Sequence, residues 1–325
     1  MMHSIKGRMQ KQLYFEVPEE NPNFHNQKEL YDCTDEEFDA LFEPPKLNIF
    51  QKIVQFIFFI VFLGPLKIIM IVLGFLGIYI GLNIVVLFSG FFKTPRAFKS
   101  WANSVLRPIV RLTIFSMGIV HINFRGRLHR DVRTIVCNHL SLVETVILIY
   151  EFPISYLAAA YLKSNRMIQA VARVFEFIFV DRSSKSQHVS EQIKNIQNDP
   201  SLLPVLIFPE GKVTNGHACI GFRTGAFVSD TPIQPVALRF RHWLAPKWMS
   251  TISWTMDPFP LYCYQLLSTP FLTMDVDVLD PYFPKGDNKS PAERASEIQL
   301  RICNFLGIPA YSKTNKEFFA KHKQQ

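Results

Sequence analysis

The chain has 325 residues, 48% of them hydrophobic, enough to build one large domain or two ordinary ones around a sizeable core. Its formal net charge of +8 is uneven: residues 1–46 hold five Lys/Arg against ten Asp/Glu, and the remainder holds thirty against seventeen. Five scattered cysteines, with no C-x-x-C pair, exclude a disulfide framework and a cysteine-based zinc site, and they place the body of the chain in a reducing compartment.

Residues 1–46 mix acids with Asn, Gln and Pro and show few periodic apolar positions, which predicts a mostly disordered acidic arm. The first long apolar stretch begins only after YDCTDEEFDALFEPP, so no secretory signal is expected. From Ile53 to Phe92 the only charged side chain is Lys67, just after Gly64-Pro65; it divides the run into a 14-residue piece and the 25-residue piece IIMIVLGFLGIYIGLNIVVLFSGFF. A bilayer core needs about 20 apolar residues, so the second piece is long enough to cross one, and the Gly-Pro break leaves a single span or a re-entrant hairpin open over 47–92. Residues 93–133 then carry nine Lys/Arg against the single acid Asp131, which by the positive-inside bias puts this side in the cytosol. A basic body behind a long apolar segment points to lipid headgroups or phosphorylated substrates as partners rather than to nucleic acid.

Beyond residue 130 the texture is that of an α/β domain: a mixed, mostly parallel sheet flanked by helices, running over 93–310. RTIVC (133–137), FEFIFV (175–180), PVLIF (204–208) and IQPVALRF (233–240) read as buried strands. FLTMDVDVL (271–279) alternates apolar and polar residues and is expected half-exposed near a sheet edge. Helices are expected over 142–151, 163–174 and 186–198. A last helix is punctuated by Ser290 as N-cap, Pro291, Glu293 completing a capping box, and Gly307 as its stop. The stretch 311–325 reads as a frayed basic tail.

Polar clusters fall at or beside the strands: NHLSLVE (138–144), DR (181–182), PEGKVTNG (209–216) and TPIQP (231–235). Ligand crevices in open α/β sheets lie beyond the carboxyl ends of the strands, so these clusters are expected to share a pocket. His139 follows a strand and Glu144 comes one helical turn later, an arrangement suited to a base and its orienting carboxylate. Ser141-x-x-Glu144 is equally a helix capping box, and spacing alone leaves the two readings open.

NHLSLVE resembles the first signature, N-H-x-S-x-x-D, of the glycerolipid acyltransferase superfamily, the PlsC-like phosphate acyltransferase domain. IFVDR is similar to its second signature, FPEGKVTNG to its third, and TPIQPVALRF to its fourth, in the same order over roughly 130–240. GFRTGAFVSDTPIQPVALRF and LGIPAYSKTNKEF extend the resemblance towards the lysophosphatidylcholine and lysophosphatidylethanolamine acyltransferase branch.

The resemblance implies His139 as general base, with Glu144 in the place of the orienting Asp. It implies Arg182, Glu210 and Gly211 as binders of the acceptor, and Lys212 as a possible further phosphate contact. Asn138, Ser141, Pro209, Thr214 and Pro235 are the supporting motif residues. It further implies acyl-CoA as co-substrate, no metal or other cofactor, a lysophospholipid acceptor, and an endoplasmic reticulum membrane with the domain facing the cytosol. Glycerol-3-phosphate or lysophosphatidic acid remain as alternative acceptors, and a non-catalytic scaffold keeping the fold is the alternative of another class. The sequence departs from the pattern at Glu144, at Lys212 where Thr, Ser or Arg is favoured, and at Glu176 where Gly is usual.

Overall fold

The computed structural model describes residues 14–93, 95–152, 154–159, 163–175, 177–180, 186–199, 202–249, 252–255 and 258–322. Glu176, Asp181 and Arg182 lie outside the described residues.

The frame is a sheet of eight strands: β1 (Tyr14–Val17), β2 (Ile119–Arg125), β3 (Thr134–Cys137), β4 (Ser155–Ala159), β5 (Phe177–Val180), β6 (Val205–Ile207), β8 (Ile233–Trp243) and β9 (Leu272–Val278). Their order is β2-β9-β8-β3-β6-β4-β5, with β1 pairing β8. Among the described strands of this sheet, only the β8–β9 and β1–β8 pairings are antiparallel. A second, two-stranded sheet joins β7 (Cys219–Gly221) to β10 (Ala310–Thr314).

The central strands are apolar on both faces because both faces are covered. Ile135, Cys137, Leu206, Leu238 and Phe240 pack under α5 (Val143–Glu151) and α8 (Phe259–Ser268). Val136, Val205, Ile207 and Ala237 pack under α9 (Pro291–Leu306). That last helix begins and ends as its punctuation predicts: Ser290 and Glu293 form the capping box, and Gly307 stops it at φ 68°.

Four expectations fail. The arm is a folded strap from Tyr14 onward. Its β1 extends the sheet, and Tyr31 donates its backbone N–H to Ala310 O at 2.7 Å. Phe38, Leu41 and Phe42, on or just after α1 (Asp35–Ala40), are buried with Ile220 and Phe318. The apolar face repeats only once, too briefly to stand out among acids. The tail is likewise structured, as β10 and α10 (Asn315–His322), and its lysines meet the strap's acids: Lys313 with Asp35 at 2.7 Å, Lys321 with Asp39 at 3.0 Å. The folded unit thus extends beyond 93–310 at both ends.

Strand β9 does lie near the sheet edge, with only β2 outside it, but it is largely buried rather than half-exposed. Its aspartates look polar because they hold arginines: buried Asp275 meets Arg125 at 2.8 Å and Arg241 at 2.6 Å, and Asp277 pairs with Arg125.

The apolar segment forms α2 (Ile49–Val61) and α3 (Gly64–Val86), broken at Leu63, whose φ is 60°. Lys67 does not divide the run: Gly64 and Pro65 open α3, and Lys67 lies inside its first turn. Among the described residues α3 is the one helix long and apolar enough to cross a membrane. It packs Gly74, Ile78, Leu82 and Val85 inward against the domain and α4 (Pro95–Ser116), and leaves Ile69, Val72, Leu73 and Leu76 exposed. Helix α2 rests on α8 through Phe59 and Tyr264, whose rings are 5.0 Å apart, and exposes Phe50, Ile53, Phe56 and Ile57.

Candidate active site

Strands β3 and β6 are neighbours, and the chain leaving their carboxyl ends carries the first and third motifs. Past Cys137, Asn138 turns inward. Its side chain donates to Leu238 O at 3.0 Å and accepts from Leu238 N at 2.8 Å, continuing the link to β8 where the main-chain ladder stops. That fixes where the next residue, His139, emerges.

His139 Nδ1 lies 2.5 Å from Glu144 Oε1. The Glu144 carboxyl is wholly buried and also accepts the backbone N–H groups of Leu140, at 3.0 and 3.1 Å, and of Ser141, at 3.1 Å. Both readings of the spacing are therefore realised by one side chain: it grips the amides at the helix start and holds the imidazole. The capping box is only half made, because Ser141 Oγ accepts from Val143 N at 3.2 Å and pairs with Tyr262 OH at 2.9 Å instead. Burial pushes the Glu144 carboxyl up from its ordinary value, and the bond to His139 opposes that shift. One face of the imidazole is stacked on Phe208, ring centres 4.1 Å apart and planes 15° from parallel. Phe208 directly precedes the Pro-Glu-Gly turn, which was the available signal for it.

The third motif holds the His139 backbone from the other side. Glu210 Oε1 accepts His139 N–H at 2.7 Å, its Oε2 accepts Ile220 N–H at 3.2 Å, and Thr214 N–H donates to His139 O at 3.2 Å. Glu210 is therefore not where a substrate group would meet it: the carboxyl is fully buried, and burial pushes it up to about 8. Pro209 is buried beside it and its carbonyl accepts Arg223 N–H at 2.9 Å. Gly211 has φ +66°, and a Cβ there would stand 2.5 Å from the Asn315 amide nitrogen.

Lys212 also departs from the expected open phosphate contact. Its half-buried ammonium stands 4.2 Å from the Phe318 ring centre, 5.4 Å from that of Phe42, and 3.5 Å from Thr255 O. Burial pushes it down. The strap and the C-terminal helix supply those rings, which no local pattern around Lys212 announces. Asn215 is tied to the strap as well, donating from its backbone N–H to Leu41 O and from its side chain to Ala40 O. Pro235 sits opposite Val136 in the central ladder, and its carbonyl accepts Leu279 N–H at 3.0 Å, a structural place rather than a lining one. Among the described residues no group of three or more His, Cys, Asp or Glu is placed to hold a metal ion.

The arrangement gives one partly exposed imidazole, 15% accessible, oriented by a buried carboxylate and carried on a residue whose backbone N–H and C=O are both bonded. Such a group can take a proton from a hydroxyl brought to its free ring nitrogen.

The region that holds this site is similar to known proteins. Residues 121–239 match the family described as Acyltransferase. Lysophosphatidylcholine acyltransferase 2B of Rattus norvegicus is 32% identical over 132 residues, covering 40% of this chain and 25% of that protein. Lysophospholipid acyltransferase LPEAT2 of Arabidopsis thaliana is 28% identical over 197 residues (59% and 36%), and the Homo sapiens lysophospholipid acyltransferase LPCAT4 is 30% identical over 211 (62% and 39%). The chain thus spans well under half the length of these curated relatives. Among solved structures, the 1-acyl-sn-glycerophosphate (LPA) acyltransferase PlsC of Thermotoga maritima superposes with a TM-score of 0.50 over 72% of this chain and 95% of its own, at 15% identity, a likeness of fold. Residues 121–239 thus resemble the acyltransferase family, within a fold similar to that of PlsC.

Proposed function

We propose that the chain is a membrane-bound O-acyltransferase that moves a fatty acyl group from acyl-CoA to the free hydroxyl of a lysophospholipid. The observation that carries this reading is the His139–Glu144 pair, 2.5 Å apart, at the carboxyl ends of the central strands of an acyltransferase domain. Its support from relatives is that several are named as lysophospholipid acyltransferases.

Glu144 accepts the Nδ1 proton of His139, which leaves Nε2 unprotonated and able to take the acceptor's hydroxyl proton. The oxygen attacks the thioester carbonyl, the tetrahedral intermediate collapses with loss of the CoA thiolate, and the imidazolium returns its proton to that sulfur. The Glu144 carboxylate stabilises the imidazolium formed between these steps. Acyl-CoA is a co-substrate, and the reading needs no metal or cofactor. Phosphate binding falls to Arg182, whose guanidinium fork suits it.

The exposed apolar sides of α2 and α3 would seat the domain at a bilayer, where both acyl tails reside. The basic stretch 93–133 would face the cytosol, with the endoplasmic reticulum as the expected membrane. The test is acyl transfer from labelled acyl-CoA to a panel of lysophospholipids, glycerol-3-phosphate and lysophosphatidate by the purified full chain. Product from lysophospholipids supports the reading, and product from none of the acceptors overturns it.

A further inference from the structure

Glycine, asparagine and aspartate take the left-handed backbone region readily, whereas a larger side chain there crowds the following carbonyl. Among the described residues, four that are not glycine sit at positive φ. One is Asn288, whose type suits it; the others are Leu63, Leu244 and Phe271, at 60°, 67° and 50°. All three of these are exposed. A single exposed leucine is unremarkable, but one that is also strained gains neither a favoured backbone nor apolar burial as long as it faces water.

The three positions meet at one corner. His242 pairs with Leu272 in the antiparallel β8–β9 ladder, so Trp243 and Phe271 are the next residues outward on the two strands. The Phe271 ring lies 5.7 Å from that of exposed Trp243 and 5.6 Å from that of Phe62, which precedes Leu63 in the turn between α2 and α3. The same turn carries exposed Val61 and Leu66, and beyond them the outer faces of α2 and α3 continue with Ile60 and Ile69.

That continuity identifies what covers the corner. It closes one end of a surface built by α2 and by α3, the helix long and apolar enough to cross a membrane. Tryptophan is the side chain that settles where lipid meets water. Strands β3 and β8 are parallel, so Trp243, beyond the carboxyl end of β3, lies at the end of the sheet from which His139 emerges. We propose that Leu63, Trp243, Leu244 and Phe271 form a lipid-docking patch, partly on the sheet domain itself, that enters the interfacial layer of a bilayer and turns the His139 end of the sheet towards it. This deepens the membrane-bound reading and rests on it.

The experiment places single copies of the full chain in phosphatidylcholine nanodiscs whose acyl chains are either plain or brominated near the headgroup, since bromine quenches a tryptophan it touches. Bromination should dim wild-type tryptophan emission, and Trp243→Phe should remove about a third or more of that loss. Equal quenching of the two proteins overturns the patch. So does a Trp243 emission that shifts to the blue only when copies are crowded together, which assigns the corner to a second copy of the chain.

The double variant Leu63→Asn/Leu244→Asn gives the backbone a residue type it favours and removes apolar surface, so docking and internal packing predict opposite signs. Docking predicts a melting temperature in detergent that is unchanged or about 2–4 °C higher, with quenching of Trp243 reduced about twofold or more. A lower melting temperature or unchanged quenching overturns it. Acyl transfer to a lysophospholipid in the disc should fall about three- to tenfold in this variant, and transfer in detergent micelles should stay within about twofold. Equal losses in both media, or none in either, overturn the orienting role. A quenched Trp243 in a chain that transfers no acyl group sinks the catalytic reading alone, whereas a chain that stays outside the discs contradicts the membrane-bound reading and the patch together.

Discussion

Replacing Glu144 by Gln isolates what the buried carboxyl does, because the side chain keeps its size and loses one acceptor. In the native site Oε1 faces His139 Nδ1 and Leu140 N–H, and Oε2 faces the N–H groups of Leu140 and Ser141. A glutamine cannot serve all of these. With its NH2 towards His139, Nδ1 must become the acceptor and the proton moves to Nε2, the atom that has to be free to take the hydroxyl proton. With its NH2 towards Leu140 and Ser141, donors face donors, and a buried unpaired N–H costs about 1–3 kcal/mol.

The wrong tautomer costs roughly 10³ to 10⁴ in kcat by analogy with the carboxylate of a catalytic triad. A purely capping role would cost about 0.5–2 kcal/mol of stability and leave turnover intact. Measuring kcat with labelled acyl-CoA beside the melting temperature separates the two. The expected result is a kcat reduced about a thousandfold or more with a modest change in melting. A variant that melts lower yet retains about a tenth or more of wild-type kcat would refute the tautomer argument.

Glu210→Gln should change how stability depends on pH. The folded carboxyl is pushed up to about 8, above its ordinary value, so between those two values the folded chain holds a proton that the unfolded chain has released. Stability therefore declines as pH rises through that window, by up to about 5 kcal/mol, and is level below it. Melting of wild type and variant across pH 5–8 (roughly that window) checks it: the variant should lose the downward slope, and parallel curves would contradict the assignment. Gly211→Ala should destabilise by about 1–3 kcal/mol, since it places a side chain at positive φ and drives a Cβ into the buried Asn315 amide; an unchanged melting temperature would refute that. Phe38→Ala, at the wholly buried position of the strap helix, should cost about 3–5 kcal/mol and open residues 20–45 to proteolysis, whereas a disordered arm would show neither effect.

The centre of the molecule was legible because local signals and tertiary placement agree there. The runs around Ile135, Leu206 and Val236 are apolar on both faces since helices cover both, and the Ser290, Glu293 and Gly307 signals mark a helix that forms as read. The spacing of His139 and Glu144 suggested either a cap or a base with its orienter, and one carboxyl makes both sets of contacts. Less could be read where partners come from far along the chain. Asp275 and Asp277 mimic an exposed face because Arg125 and Arg241 lie across neighbouring strands. Lys212 is enclosed by Phe42 and Phe318, and the strap's acids are matched to the tail's lysines across some 280 positions. Glu210 was expected to meet substrate, whereas its bonds to His139 N–H and Ile220 N–H make it an internal tie.

The central claim is that His139 removes the acceptor's hydroxyl proton. Its most direct test is acyl transfer from labelled acyl-CoA to lysophospholipid by wild type and His139→Ala, each purified to the same folded fraction. Loss of a general base should lower kcat by about 10² to 10⁴, with the KM for acyl-CoA little changed. Equal transfer by the two proteins would contradict it.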